Sequence, residues 1–92
     1  MDINWDPIKA DINFRKHGVS FEEAVTVIQS PMTVTVEDTS ADEQSFATIG
    51  MSIKLRIFMV VHTYRDDSEI RIISARKATK KEQEVYEERI RL

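Results

Sequence analysis

Ninety-two residues suit one domain spanning 1–92, and the complete lack of cysteine excludes disulfides, thiolate metal sites and a cysteine nucleophile. His17 and His62 are the only imidazoles, so a zinc site built from protein ligands alone is not expected, nor is any other metal or cofactor. The net charge of −3 is unevenly spread: residues 21–50 carry −6 and residues 51–81 carry +5, so a basic surface exists within an acidic total.

The opening MDINWDP has neither a basic n-region nor an apolar h-region, and the longest apolar run, Ile57–Val61, is far too short to span a bilayer. A soluble cytoplasmic protein is expected. Asp6-Pro7 places an N-cap residue before proline at the first helical position, predicting a helix to about Lys16 that stops at Gly18. On its wheel Ile8 and Ile12 lie on one side and Ala10 and Phe14 on another. Lys9, Asn13 and Lys16 form a polar seam between them, either solvated or facing a partner.

Ser20-Phe21-Glu22-Glu23 reads as a capping box opening a second helix, whose core stripe is Phe21, Ala24, Val25 and Ile28 and whose end is Ser30-Pro31. Met32, Val34 and Val36 alternate with Thr33, Thr35 and Glu37 as a first strand, followed by an acidic loop, EDTSADEQ. A second strand alternates Ala47, Ile49 and Met51 with Phe46, Thr48 and Gly50, where glycine would permit a bulge or a close approach. Ile57–Val61 predicts a central third strand, and Arg65-Asp66-Asp67-Ser68 a turn into a fourth, Glu69–Arg76. Thr79-Lys80-Lys81-Glu82 is another capping box, opening a C-terminal helix with Val85, Tyr86 and Ile90 able to reach one face. The expected order is ααββββα: an α+β fold with two N-terminal helices, a four-stranded, mainly antiparallel sheet and a C-terminal helix.

A turn pairing Arg65 with Ser68 would place His62 opposite Arg71 and point Arg71 and Arg76 to opposite faces, unless a bulge intervenes. The spacing spells out no nucleophile triad or phosphate loop, but histidine suits proton transfer near neutral pH and arginine, with its fixed fork of donors, suits a phosphate or a charged transition state. His17 is a candidate proton carrier or else a partner for carbonyls ending the first helix; His62 is either catalytic or a paired strand-end residue. Arg71 and Arg76 are candidate phosphate or transition-state ligands. Lys77, Lys80 and Lys81 surround a helix start as a phosphate site, unless Glu82 and Glu84 neutralise them. Tyr86 reads as packing and Trp5 as an anchor for the first helix.

Several phrases occur in one order along nearly the whole chain: Trp5-Asp6-Pro7 with Lys9, Arg15-Lys16-His17-Gly18, Phe21-Glu22-Glu23-Ala24, Ile49-Gly50, Val61-His62-Thr63, and Arg71-Ile72-Ile73-Ser74-Ala75-Arg76. With these the chain resembles the BrnT family of type II toxin–antitoxin toxins. The resemblance implies a RelE-like fold and a growth-arresting endoribonuclease that cleaves mRNA without a metal. It further implies neutralisation by a BrnA-type antitoxin, a ribbon-helix-helix-like DNA-binding protein, in a 2:2 complex that reaches operator DNA only through the antitoxin. The hairpin Met51–Arg56 departs from that pattern in lacking a glycine. The expected catalytic residues are His17, His62, Arg71 and Arg76, and the expected RNA contacts are Lys9, Lys16, Lys77 and Lys80. An antitoxin would then present an acidic or helical segment toward Arg71, Arg76 and Lys77. A non-catalytic protein-binding module is the other reading that the composition permits.

Overall fold

Five strands rather than four form the sheet. The computed structural model describes residues 2–38, 44–66 and 68–91. Its elements are β1 (Asp2–Trp5), α1 (Pro7–His17), α2 (Phe21–Ile28), β2 (Thr33–Asp38), β3 (Ser45–Met51), β4 (Ile57–Arg65), β5 (Glu69–Lys77) and α3 (Lys80–Ile90). Most of the expected acidic loop, and Asp67 of the expected turn, lie outside the described residues.

The strand order is β1-β5-β4-β3-β2. Strands β2 to β5 form the expected antiparallel meander, but β1 adds a parallel edge along β5, running from Asp2 beside Glu69 to Trp5 beside Ile72. This mixed sheet corrects the four-stranded expectation. Four residues cannot show a strand period over the length that makes alternation convincing, and the partner of β1 lies more than sixty positions away.

Local signals fixed the helix ends. Asp6 caps α1 by accepting from the Ile8 amide at 2.8 Å, and Gly18 closes it in the left-handed region at φ 69°. Thr79 and Glu82 complete the reciprocal capping box of α3. At α2 only half of the expected box forms: Ser20 accepts from the Glu23 amide, whereas the Glu23 carboxylate turns away to Ser52 and Arg56. A buried carboxylate needs a cation more than it needs one further amide.

Successive β4 residues enter different cores. Phe58 and Val60 join Val19, Phe21, Ala24, Val27, Ile72 and Ala75 under α2; Ile57 and Met59 join Ile49, Ala78 and Tyr86 under α3. Helices therefore cover both faces, giving three layers. Trp5 packs edge-on to Phe21 at 6.0 Å between ring centres, tying β1 to α2. Gly50 meets the predicted need for close approach, since a Cβ there would sit 2.8 Å from Thr33 Cγ2 and 3.2 Å from Val27 Cγ1.

The β4–β5 register departs from expectation in a way that reshapes the site. Arg65 pairs with Glu69, not Ser68, with Asp66 at φ 55°, so Thr63 rather than His62 faces Arg71. Farther along, His62 pairs with Ile72 but Val61 with Ser74, which passes over Ile73 as a bulge. Thr63, Val61 and Met59 share one face of β4, so their partners Arg71, Ser74 and Arg76 share one face of β5. The bulge thus reunites the two arginines and leaves His62 on the opposite face.

Candidate active site

Helix α1 is held to the sheet by a polar residue. Asn13 is only 6% exposed; its Nδ2 donates to the Val19 carbonyl at 3.0 Å and the Ala75 carbonyl at 2.8 Å, while its Oδ1 accepts from the Ala75 amide at 3.1 Å. Strand β1 leaves the edge of β5 at Ile72, and Asn13 takes over as a strand-like neighbour for the backbone of Ala75. The bulge at Ile73 lies between these two pairings.

A groove of about 200 Å³ opens at that seam, lined by Lys9, Ile12, Asn13, Lys16, His17, Ile73 and Ser74. Lys9 and Lys16, expected as RNA contacts on one polar seam, are therefore brought together with His17, the candidate proton carrier. The ammonium groups of Lys9 and Lys16 have no ion-pair partner among the described residues, and the Asp11 carboxylate on the same helix is engaged by Arg15 at 3.2 Å. The groove is thus cationic, partly apolar and open to solvent, which suits a backbone phosphate with an attached sugar or base. Ile73 and Ser74 were not singled out as site residues. Their place depends on a bulge that leaves no trace in hydrophobic alternation.

Arg71 lies on the same strand, roughly 10 Å from Ser74 by strand rise. Its Nη1 makes one long bond, 3.4 Å, to Asn4 Oδ1, and Asn4 in turn donates to Glu69. Arg76 shares that face but is occupied: Nη1 and Nη2 donate to Glu82 Oε1 at 2.7 Å and Oε2 at 2.9 Å. This fork raises the Arg76 pKa and holds the Glu82 carboxyl down to about 2, with the Thr79 amide adding a further bond. Lys77 and Lys80 are exposed at the opposite end of β5 and the start of α3, outside the groove. Glu82 caps that helix start through the Thr79 amide and pairs with Arg76; among the described residues it forms no ion pair with Lys77, Lys80 or Lys81.

His62 lies elsewhere. It is 1% exposed, on the α2 face, with Nε2 hydrogen-bonded to Thr48 Oγ1 at 2.8 Å and the ring set against Phe46 and Tyr64. Burial lowers its pKa, favouring the neutral imidazole, and Nδ1 has no partner among the described residues. Tyr86, also buried, donates its hydroxyl proton to the Met32 carbonyl at 2.7 Å, fastening α3 across β2. Among the described residues no group of three or more His, Asp or Glu side chains is arranged to hold a metal ion. Nor is any helix there long and apolar enough to cross a membrane.

Residues 5–82 match the model of a family described as the ribonuclease toxin, BrnT, of type II toxin–antitoxin systems. A search of curated proteins returned no match. Among solved structures, the chain is similar to the crystal structure of the Brucella abortus ribonuclease toxin BrnT, with a TM-score of 0.69, 27% sequence identity, and coverage of 87% of this chain and 99% of that one. The matched span includes α1 and β5, which line the groove, the rest of the sheet from Trp5 onward, and the capping box of α3. A family model that matches residues 5–82 and a fold shared with a solved ribonuclease toxin place the chain: it belongs to the BrnT family of ribonuclease toxins of type II toxin–antitoxin systems.

Proposed function

We propose that the chain is an endoribonuclease that cleaves mRNA without a metal ion, with the groove between α1 and β5 as its active site. The observation that carries this reading is the convergence of Lys9, Lys16 and His17 on one open groove beside the Ile73 bulge. In the proposed reaction the 2′-oxygen attacks the adjacent phosphorus, its proton passes to a base, and the departing 5′-oxygen receives a proton. The products are a 2′,3′-cyclic phosphate and a 5′-hydroxyl.

His17 carries the proton, as the one imidazole at the groove. Lys9 and Lys16 neutralise charge on the phosphorane, and Arg71, weakly bonded within the fold, contacts a flanking phosphate. Arg76 positions α3 through Glu82, and His62 packs the core in its neutral form. Lys77 and Lys80 extend the cationic track beyond the groove. The protein acts in the cytoplasm and is neutralised by a BrnA-type antitoxin of ribbon-helix-helix kind, in a 2:2 complex that reaches operator DNA through the antitoxin.

Cleavage of mRNA by the antitoxin-free protein in EDTA tests this assignment. His17→Ala should slow cleavage by about 10²-fold or more, the usual scale for losing a proton-transfer group, and Lys16→Ala by about 10-fold or more. Full activity in both variants, or dependence of the wild type on added divalent metal, would reject it.

A further inference from the structure

Helix α1 is inverted relative to an ordinary surface helix. Its inner side is Ala10, Asn13 and His17, anchored through the hydrogen bonds of Asn13, while Ile8 is 71% exposed and Ile12 58% exposed. At about 100° per residue, Ile8, Ile12, Lys16 and Lys9 follow one another around an arc of roughly 100°. Two isoleucines and two ammonium groups that are unpaired among the described residues therefore form one continuous strip. Phe14, also exposed, falls on the other flank of the helix.

Lys9, Ile12 and Lys16 reach the groove, but Ile8 does not line it. A bound phosphate backbone accounts for the lysines and leaves Ile8 unused. Single exposed isoleucines are ordinary, whereas a paired i, i+4 apolar step bordered by cations has the layout of a small protein interface, an apolar centre with a polar rim. A type II toxin is matched with an antitoxin, and a partner that covers this strip would also cover the cations of the groove.

We infer that the outer face of α1, from Ile8 through Ile12 to Lys16 and Lys9, is the docking surface for an antitoxin segment that presents apolar side chains to the isoleucines and carboxylates to the lysines. Charge complementarity selects that occupant: the strip is cationic, its own helix's Asp11 is already paired with Arg15, and Arg76 is engaged by Glu82. Inhibition then follows from occlusion, and that part rests on the groove being the RNA site.

The test is the affinity of the purified cognate antitoxin for wild type, Ile8→Gln and Ile8→Leu, measured beside RNA cleavage by each free toxin. Glutamine keeps the charge and the helix while removing apolar surface; leucine keeps the apolar surface. Ile8→Gln should weaken antitoxin binding by about 10-fold and leave RNA cleavage within about 2-fold of wild type, and Ile8→Leu should bind within about 2-fold. Unchanged antitoxin affinity in Ile8→Gln overturns the proposal, whether cleavage is then impaired, which assigns Ile8 to RNA, or a concentration-dependent toxin dimer is lost, which assigns the face to a second copy. Weakened antitoxin binding by Ile8→Gln, together with full cleavage by both His17→Ala and Lys16→Ala, would support the docking surface while rejecting the groove as the RNA site.

Discussion

Asn13 shows how one side chain can substitute for a strand. It serves both backbone groups of Ala75 and the carbonyl of Val19, so Asn13→Ala would leave three buried groups without their partner. The expected cost is about 2–3 kcal/mol, measured by urea unfolding. The Ala75 amide, protected at a strand edge in the wild type, should then exchange faster with solvent than its neighbours on β5. His62 makes a different prediction. Burial lowers its folded-state pKa below the ordinary 6.5, so the unfolded chain takes up a proton first as the pH falls. Its contribution is therefore complete above about pH 6.5 and lost progressively below. The urea midpoint should drop between pH 7.5 and 5.5, and His62→Gln should flatten that part of the curve. A wild-type midpoint independent of pH across this range would contradict the neutral, buried imidazole.

At the scale of elements, the Ser52–Arg56 turn achieves without glycine what glycine usually provides. Ser52 Oγ accepts from the Lys54 and Arg56 amides and donates to Glu23 Oε2, while Leu55 is held at φ 64°. A branched side chain in the left-handed region is strained, and Leu55 is exposed, so Leu55→Gly should raise stability by about 0.5–1 kcal/mol. No gain in thermal midpoint would mean that the leucine side chain contributes packing that offsets its backbone. The Arg76–Glu82 fork fastens α3 to β5. Because the Glu82 carboxyl is depressed to about 2 from 4.5, its stabilisation is present above pH 4.5 and lost as the pH falls toward 2, a window well separated from that of His62. Glu82→Gln should cost about 1 kcal/mol at pH 7, after solvent screening of the half-exposed arginine, and remove the acid-side loss.

These elements also mark what could be read in advance. Asp6-Pro7, Gly18, Ser20 and Thr79–Glu82 act within a few residues of themselves, so the helix ends were legible. The third residue of the β4–β5 turn, the Ile73 bulge and the parallel pairing of Trp5 with Ile72 depend on distant partners, and no local period reveals them. Glu23 gave a misleading local signal, because its cation stands thirty-three positions away at Arg56. Lys9 and Lys16 stood out as a polar seam, yet their meeting with His17 and Ser74 required the helix to be laid against a bulged edge.

Across the whole molecule, the acidic total and the cationic groove are compatible because folding segregates charge. A site built on a few lysines should bind RNA with strong salt dependence, so raising salt from about 50 to 200 mM should weaken binding several-fold while leaving the part-buried Glu23–Arg56 pair intact. The most direct test of the groove as the active site is amide chemical-shift mapping with an RNA whose scissile 2′-hydroxyl is replaced by hydrogen, so that it binds without being cut. Shifts concentrated on residues 9–17 and on Ile73 and Ser74, with Arg71 at their margin, are the predicted result. Shifts centred instead on Phe46, His62 and Tyr64 on the opposite face, with α1 unperturbed, would contradict it.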